Sequence, residues 1–169
     1  LAAAAATLAV VVPMDGFHMR HAKLEALDLA RFKGAPRTFE AAAFASFLAS
    51  LKSATAAVRG PGYSRKIEDV VDDMIAIPAE APVLLVEGNY LLLADGAWPA
   101  VGALLDRRVF LDVPRELVRQ RLLRRHAEEG LFTAERNLRH VESVDLPNYD
   151  LIAATRNAAD VAITLDINV

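Results

Sequence analysis

The sequence predicts an α/β fold built on a parallel sheet, and three observations carry that prediction. Apolar, largely β-branched runs recur at Val10-Val11-Val12, Val83-Leu84-Leu85-Val86, Arg108-Val109-Phe110-Leu111-Asp112-Val113 and Val161-Ala162-Ile163-Thr164-Leu165. Runs of this kind read as strands buried on both faces. Segments of helical spacing alternate with them and no tight hairpin is evident, which favours a parallel sheet covered on both faces. Two of the runs also end alike, in Pro13-Met14-Asp15-Gly16 and in Val86-Glu87-Gly88: strand, carboxylate, glycine. In open α/β sheets the chemistry collects where such strands end, so Asp15 and Glu87 are the first functional candidates.

Composition sets the bounds. A chain of 169 residues suffices for one domain with a proper core and is short for two. At 54% hydrophobic and 24% charged it is globular rather than disordered. The net charge of −3 does not suggest a nucleic-acid-binding face. The absence of cysteine removes disulfides, thiolate metal sites and thiol catalysis, and it suits a reducing cytoplasm. The apolar start, Leu1 to Val12, is shorter than the roughly 20 residues a membrane span needs. It also lacks the basic region of a signal peptide, so no membrane partner is expected. Leu1-Ala2-Ala3-Ala4-Ala5-Ala6 reads as the tail of an alanine-rich helix, and the chain is expected to be truncated there.

After the Asp15 strand, a short helical pattern surrounds Leu24, Leu27 and Leu29, followed by the basic loop Arg31-Phe32-Lys33-Gly34-Ala35-Pro36-Arg37. Thr38 is expected to cap the next helix, whose Phe44, Phe47, Leu48 and Leu51 bury one face. Arg59-Gly60-Pro61-Gly62 is expected to end it. The stretch from Tyr63 to Pro78 is either a short β excursion or a loop. Beyond the Glu87 strand, Leu91 to Leu105 is expected to hold a short helix broken near Pro99. Pro114 suits the first turn of a helix from Arg115 to about Glu129, closed by Gly130. Thr133 starts another, Asp145-Leu146-Pro147-Asn148 marks a break, and a final helix reaches Thr155-Arg156 before the last strand.

Two strand-end carboxylates at one sheet edge suit a general base and a magnesium-positioning acid in phosphoryl transfer. Glu87 reads equally as a capping or hydrogen-bonding acid at a turn. Lys33, Arg37 and Arg65 could meet an anionic substrate or be solvated loop charge. The helix from Arg115 carries five arginines; Arg121 and Arg125 share a face at i, i+4 spacing, as in lids that clamp phosphates, although Glu128 and Glu129 could pair with some of them. His18 and His21 lack a third ligand for a transition-metal site. Ser64 has no triad partners, and Phe17 stands where a haloacid-dehalogenase phosphatase would carry its second Asp. None of the eight glycines is followed by lysine, so the 169 residues contain no G-x-x-x-x-G-K-[ST] phosphate loop.

Taken together and in order, these motifs resemble those of the uridine kinase, phosphoribulokinase and bacterial pantothenate kinase group of P-loop kinases. Within it the sequence most resembles bacterial nucleoside/nucleotide kinase-like proteins that include candidate fructose kinases. The resemblance runs from Val10 to Leu165. It rests on Pro13-Met14-Asp15-Gly16-Phe17-His18, Arg31-Phe32-Lys33-Gly34-Ala35-Pro36 with Thr38-Phe39, and Pro61-Gly62-Tyr63-Ser64-Arg65. Val86-Glu87-Gly88-Asn89-Tyr90 with Leu91-Leu92-Leu93, Asp145-Leu146-Pro147-Asn148, and Thr155-Arg156 with Ala159-Asp160 continue it. It implies a three-layer α/β/α sandwich of the P-loop NTPase type, here without its first strand and P-loop, with Leu1 to Thr7 as the end of the P-loop helix. Residues 1–169 would form a single kinase-like domain with a lid at about 121–140. By the same resemblance Asp15 is the base and Glu87 the acid near Mg2+, with Lys33 in the acceptor pocket and among the catalytic residues, as are Arg121 and Arg125 of the lid. His18, Tyr63, Arg65 and Asn89 would meet the acceptor, a sugar such as fructose or a nucleoside such as uridine, and Arg156 would lie near the adenine of ATP. A homodimer is compatible with the sequence. The alternative is a non-catalytic binding or regulatory member of the same fold.

Overall fold

The computed structural model describes residues 9–130 and 133–165, which divide at Leu104/Leu105 into two compact units. The expected P-loop helix end, Leu1 to Thr7, lies outside the described residues, apart from which the α/β class holds.

In the first unit, β1 (Ala9–Pro13) runs parallel to β4 (Val83–Glu87), in register from Ala9 opposite Val83 to Pro13 opposite Glu87. A 3-10 turn, Met14–Phe17, follows β1, and α1 (His21–Ala26) and α2 (Ala41–Lys52) come next. The strands β2 (Val58–Ser64) and β3 (Asp69–Ile77) pair antiparallel, and α3 (Trp98–Gly102) closes the unit. Val12, Met14, Leu24, Phe44 and Val101 are fully buried. Each such side chain contributes about 1.5–3 kcal/mol by leaving water. Aromatic rings cement this core: Phe17 lies 4.8 Å from Phe44 and 5.3 Å from Phe47, while Phe39, Tyr90 and Trp98 form a second cluster with centroids 5.4–6.0 Å apart.

The hairpin β2–β3 corrects the expectation of a fold without tight hairpins. Arg59-Gly60-Pro61-Gly62 does not end a helix, which stops at Lys52, but lies inside β2. The pairing register shifts between Gly60 and Gly62, so Pro61, which has no N–H to donate, sits at an irregularity of the ladder. Thr38 is not the cap of α2 either. It ends the 3-10 turn Pro36–Thr38, and Glu40 occupies the cap position. Pro99 stands at the start of α3 rather than breaking a helix.

In the second unit, β5 (Val109–Asp112) pairs parallel with β6 (Val161–Thr164). The helix α4 (Arg115–Glu129) ends at Gly130, whose φ of 64° is the left-handed conformation glycine adopts without strain. The Thr133 hydroxyl caps α5 (Ala134–His140) by accepting from the Arg136 amide at 3.3 Å. No break follows. A π-helical segment, Val141–Asp145, carries α5 directly into α6 (Leu146–Ala153), and Pro147, which has no N–H to give the preceding turn, stands just after that wider turn. Two arginines of α4 are structural: Arg115 grips Asp150 through two hydrogen bonds of 2.8 and 3.2 Å, and Arg119 holds Glu142 at 2.7 Å.

The strands are not buried on both faces. Strand alternation puts Val11 and its register partner Leu85 on one face, where they are 54% and 50% exposed, while Val12 on the other face is fully buried. In the second unit Leu111 and its partner Ile163 are likewise exposed. The described elements leave one face of the β1–β4 pair open, and all four residues of β6 are exposed. Among the described residues no helix is long and apolar enough to cross a membrane.

Candidate active site

The parallel register of β1 and β4 delivers two carboxylates to one sheet edge. Glu87 is the last residue of β4, opposite Pro13, and Asp15 follows two residues beyond Pro13 in the 3-10 turn. Two glycines fix that turn by contact rather than by unusual backbone angles. A Cβ on Gly16 would lie 2.2 Å from the Pro61 carbonyl oxygen, and one on Gly88 would lie 2.6 Å from Cβ of the buried Met14. Any larger residue would push β2 or β4 away from the Asp15 turn.

The electrostatics show that the two acids sense each other. Partial desolvation, with the Asp15 charge as a second cause, raises the pKa of Glu87 above the ordinary carboxylate range. Asp15 also accepts, through its backbone carbonyl, a 2.8 Å hydrogen bond from Nδ1 of His18. The His18 ring packs at a tilt against Phe39, 3.9 Å between centroids, and against Tyr63 at 4.9 Å. Burial holds the His18 pKa below its ordinary value, so the imidazole is neutral at pH 7.

The basic loop is bound to this turn by its backbone. The Met19 amide donates to the Thr38 carbonyl at 2.8 Å, and the Glu40 amide to the Phe17 carbonyl at 2.8 Å. Thr38, fully buried, closes the loop from inside: its hydroxyl accepts from the Gly34 amide at 3.1 Å and donates to the Ala35 carbonyl at 2.7 Å. Lys33 is thereby held with its ammonium 5.2 Å from the centre of the Tyr63 ring, donating to the Glu68 carbonyl at 2.5 Å. The Tyr63 hydroxyl donates to the Glu68 carboxylate at 3.1 Å, and burial together with that carboxylate raises its pKa, keeping it a hydrogen-bonding phenol.

Asp15, His18, Lys33, Tyr63 and Glu87 therefore form one connected constellation. Arg65 lies in the turn between β2 and β3, next to Ser64, and Asn89 in the turn after β4; both are exposed. Arg37 stacks over the Phe32 ring at 3.7 Å. A neighbouring cleft of about 270 Å³, lined by Phe17, His18, Arg20, Lys23, Glu40 and Asp72 among others, is rimmed by the ion pairs Arg20–Asp72 and Lys23–Glu40, each at 2.5 Å. Three members of the site carry no functional role in the sequence reading: Glu68, Tyr90 and Thr38, the last read only as a helix cap. Tyr90 had a signal, since it closes the Glu87-Gly88-Asn89-Tyr90 motif; Glu68 had none, because only the hairpin brings it to Lys33.

The comparisons with known proteins bear on the fold and the family. The ATP-dependent kinase-like protein notR' of Aspergillus versicolor is 34% identical over 152 residues, covering 85% of this chain and 88% of that protein. The chain belongs to the P-loop kinases of the uridine kinase-like group. A candidate uridine kinase of Schizosaccharomyces pombe is 30% identical over 159 residues, 90% of this kinase chain and 68% of the relative. A solved structure, that of a candidate fructose transport system kinase from Silicibacter sp. TM1040, superposes with a TM-score of 0.86 at 32% identity, over 95% of this chain and 77% of the other. The uncharacterized protein YggC of Escherichia coli is 38% identical over 120 residues, 71% of this chain; the alignment spans 49% of YggC, about half its length. No protein-family model matches the chain.

The remaining predicted residues of this kinase lie in the second unit. Arg121 and Arg125 are exposed on α4, four residues apart, and Arg124 pairs with Glu128 at 3.7 Å. Arg156 donates to the Asp112 carboxylate at 2.8 Å, joining the 3-10 turn Arg156–Ala158 to the end of β5.

Proposed function

We propose that this kinase transfers a phosphoryl group from ATP to a hydroxyl of a small polar metabolite, a sugar or a nucleoside, with Asp15 as the base. The observation that carries the reading is the pairing of Asp15 with Glu87 at one sheet edge, beside a neutral His18 and a fixed Lys33. Asp15 accepts the proton of the attacking hydroxyl, a role typically contributing 10²–10⁴-fold in rate. Lys33 offers a positive charge on the acceptor side, and Tyr63, His18, Arg65 and Asn89 orient the acceptor through stacking and hydrogen bonds. Packed rings next to hydrogen-bonding groups suit a flat or ring-shaped polar molecule.

The donor set fits the metal that phosphoryl transfer uses. Two carboxylates close enough for one to raise the pKa of the other supply hard oxygen ligands and an excess of negative charge. Glu87 would hold Mg2+, which when bound neutralises charge on the phosphates. By the family resemblance, Arg121 and Arg125 would offer guanidinium forks to phosphate oxygens, and Arg156 would bind near the adenine. The cysteine-free composition agrees with work in the reducing cytoplasm.

A coupled ADP-release screen of the complete protein against sugars, nucleosides and pantothenate tests this reading. Acceptor-dependent ADP release with one class supports it; ATP binding without turnover on any acceptor favours a non-catalytic regulatory member of the fold. The lack of a G-x-x-x-x-G-K-[ST] loop in these 169 residues is what keeps that second reading in view.

A further inference from the structure

In the second unit, three metal-binding side chains that the kinase reading does not use converge on one point. His126 stands in the last turn of α4, His140 is the last residue of α5, and Asp145 ends the π segment. The Asp145 carboxylate lies between the two rings, its Oδ2 at 3.1 Å from Nε2 of His126 and its Oδ1 at 3.7 Å from Nε2 of His140. One ligand atom from each residue falls within 4.8 Å of the other two.

The convergence depends on the π segment. In an α-helix of 3.6 residues per turn, positions five apart point about 140° from each other. Here the chain bonds from i to i+5 instead, the Leu146 amide donating to the Val141 carbonyl, and residues five apart are brought towards one face. That insertion carries Asp145 round to His140, and the edge-on packing of the two imidazoles, 5.7 Å apart, sets His126 beside them. Single-turn π insertions of this kind collect at functional sites.

We propose that His126, His140 and Asp145 bind a divalent transition-metal ion of the zinc type. Two imidazole nitrogens and one carboxylate are a ligand set for zinc or cobalt rather than for magnesium, which takes oxygen ligands. Zinc–nitrogen bonds of about 2.0–2.1 Å place ligand atoms roughly 3.3–3.5 Å apart, so the ion would open the 3.1 Å His126–Asp145 contact slightly and draw together ligand atoms that now lie within 4.8 Å of one another. His126 and Asp145 are four-fifths buried and fixed by their hydrogen bond, while His140, 45% exposed, leaves a fourth position open to water or to an external ligand. Binding ties the end of α4 to the junction of α5 and α6. The site is independent of the kinase reading and is tested without any activity measurement.

The test is titration of the complete protein with ZnCl2 by calorimetry and with CoCl2 by visible absorption. The expected result is one ion per chain, with the intense visible bands of four- or five-coordinate cobalt. His140→Gln and Asp145→Asn should each weaken binding at least tenfold, while His21→Gln and Asp15→Asn leave it unchanged. His140 is exposed enough that its substitution spares the fold, and the wild-type cobalt spectrum requires no variant at all. No stoichiometric binding, a weak six-coordinate cobalt spectrum, or binding that survives His140→Gln overturns the proposal. So does binding lost in His21→Gln or Asp15→Asn, which would put the ion elsewhere.

Discussion

The Tyr90 hydroxyl donates a 2.5 Å hydrogen bond to the carbonyl of Gly34, fifty-six residues away in sequence. Tyr90 is 1% exposed and packs against Phe39 and Trp98, so this bond joins the turn after Glu87 to the loop that carries Lys33. The strand-end acid and the basic loop are thereby held as one piece. Tyr90→Phe keeps the ring and deletes the bond, and it should cost about 0.5–1.5 kcal/mol of stability. Urea unfolding of the two proteins checks this. A midpoint unchanged from wild type would mean that water replaces the hydroxyl without loss.

Gly16→Ala should be the more damaging change, although it adds one methyl group. The new Cβ would meet the Pro61 backbone at 2.2 Å, and backbone cannot rotate away as a side chain can. Overpacking of this kind typically costs about 1–3 kcal/mol, here with the Asp15 turn displaced from β2. Thermal unfolding should show the loss of stability, and acceptor turnover should fall with it.

Glu87 and His18 give stability opposite dependences on pH. The folded pKa of Glu87 is raised, so the folded state binds more protons than the unfolded one between the ordinary value of 4.5 and the raised value. Its contribution is present below pH 4.5 and is lost as pH rises through the folded pKa. Glu87→Gln should therefore raise the melting temperature at pH 7 and change it little at pH 4. For His18 the folded pKa is lowered from 6.5, so the unfolded state binds more protons below that value and stability falls as pH drops through this window. In an NMR titration the His18 ring should protonate with its midpoint below 6.5, while a midpoint above that value would contradict its burial.

The elements most legible in the sequence are those whose residues decide their own structure. The apolar runs ending in Asp15 and Glu87 form parallel strands because β-branched side chains favour extended backbone and fit a sheet. The helix from Arg115 runs to Glu129 because Pro114 and Gly130 punctuate it. The hairpin was not legible for the opposite reason. Arg59-Gly60-Pro61-Gly62 has the composition of a turn, and it is extended only because β3 pairs with it and Phe47 and Met74 occupy the space above its glycines. The π segment is hidden too, since Pro147 reads as a stop signal and yet the helix runs through it. In the site, strand ends announce Asp15 and Glu87, whereas Glu68 and Tyr90 act through contacts between segments distant in sequence and Thr38 closes its own loop from inside.

The central claim is that Asp15 is the base of a kinase, and Asp15→Asn tests it most directly. The substitution keeps the size of the side chain and removes its ability to accept a proton. Steady-state turnover of the complete protein, with ATP and the acceptor found by the screen, should fall by about 10²–10⁴-fold, while ATP binding measured by calorimetry stays within a few-fold of wild type. Turnover in the variant equal to that of the wild type would contradict the account.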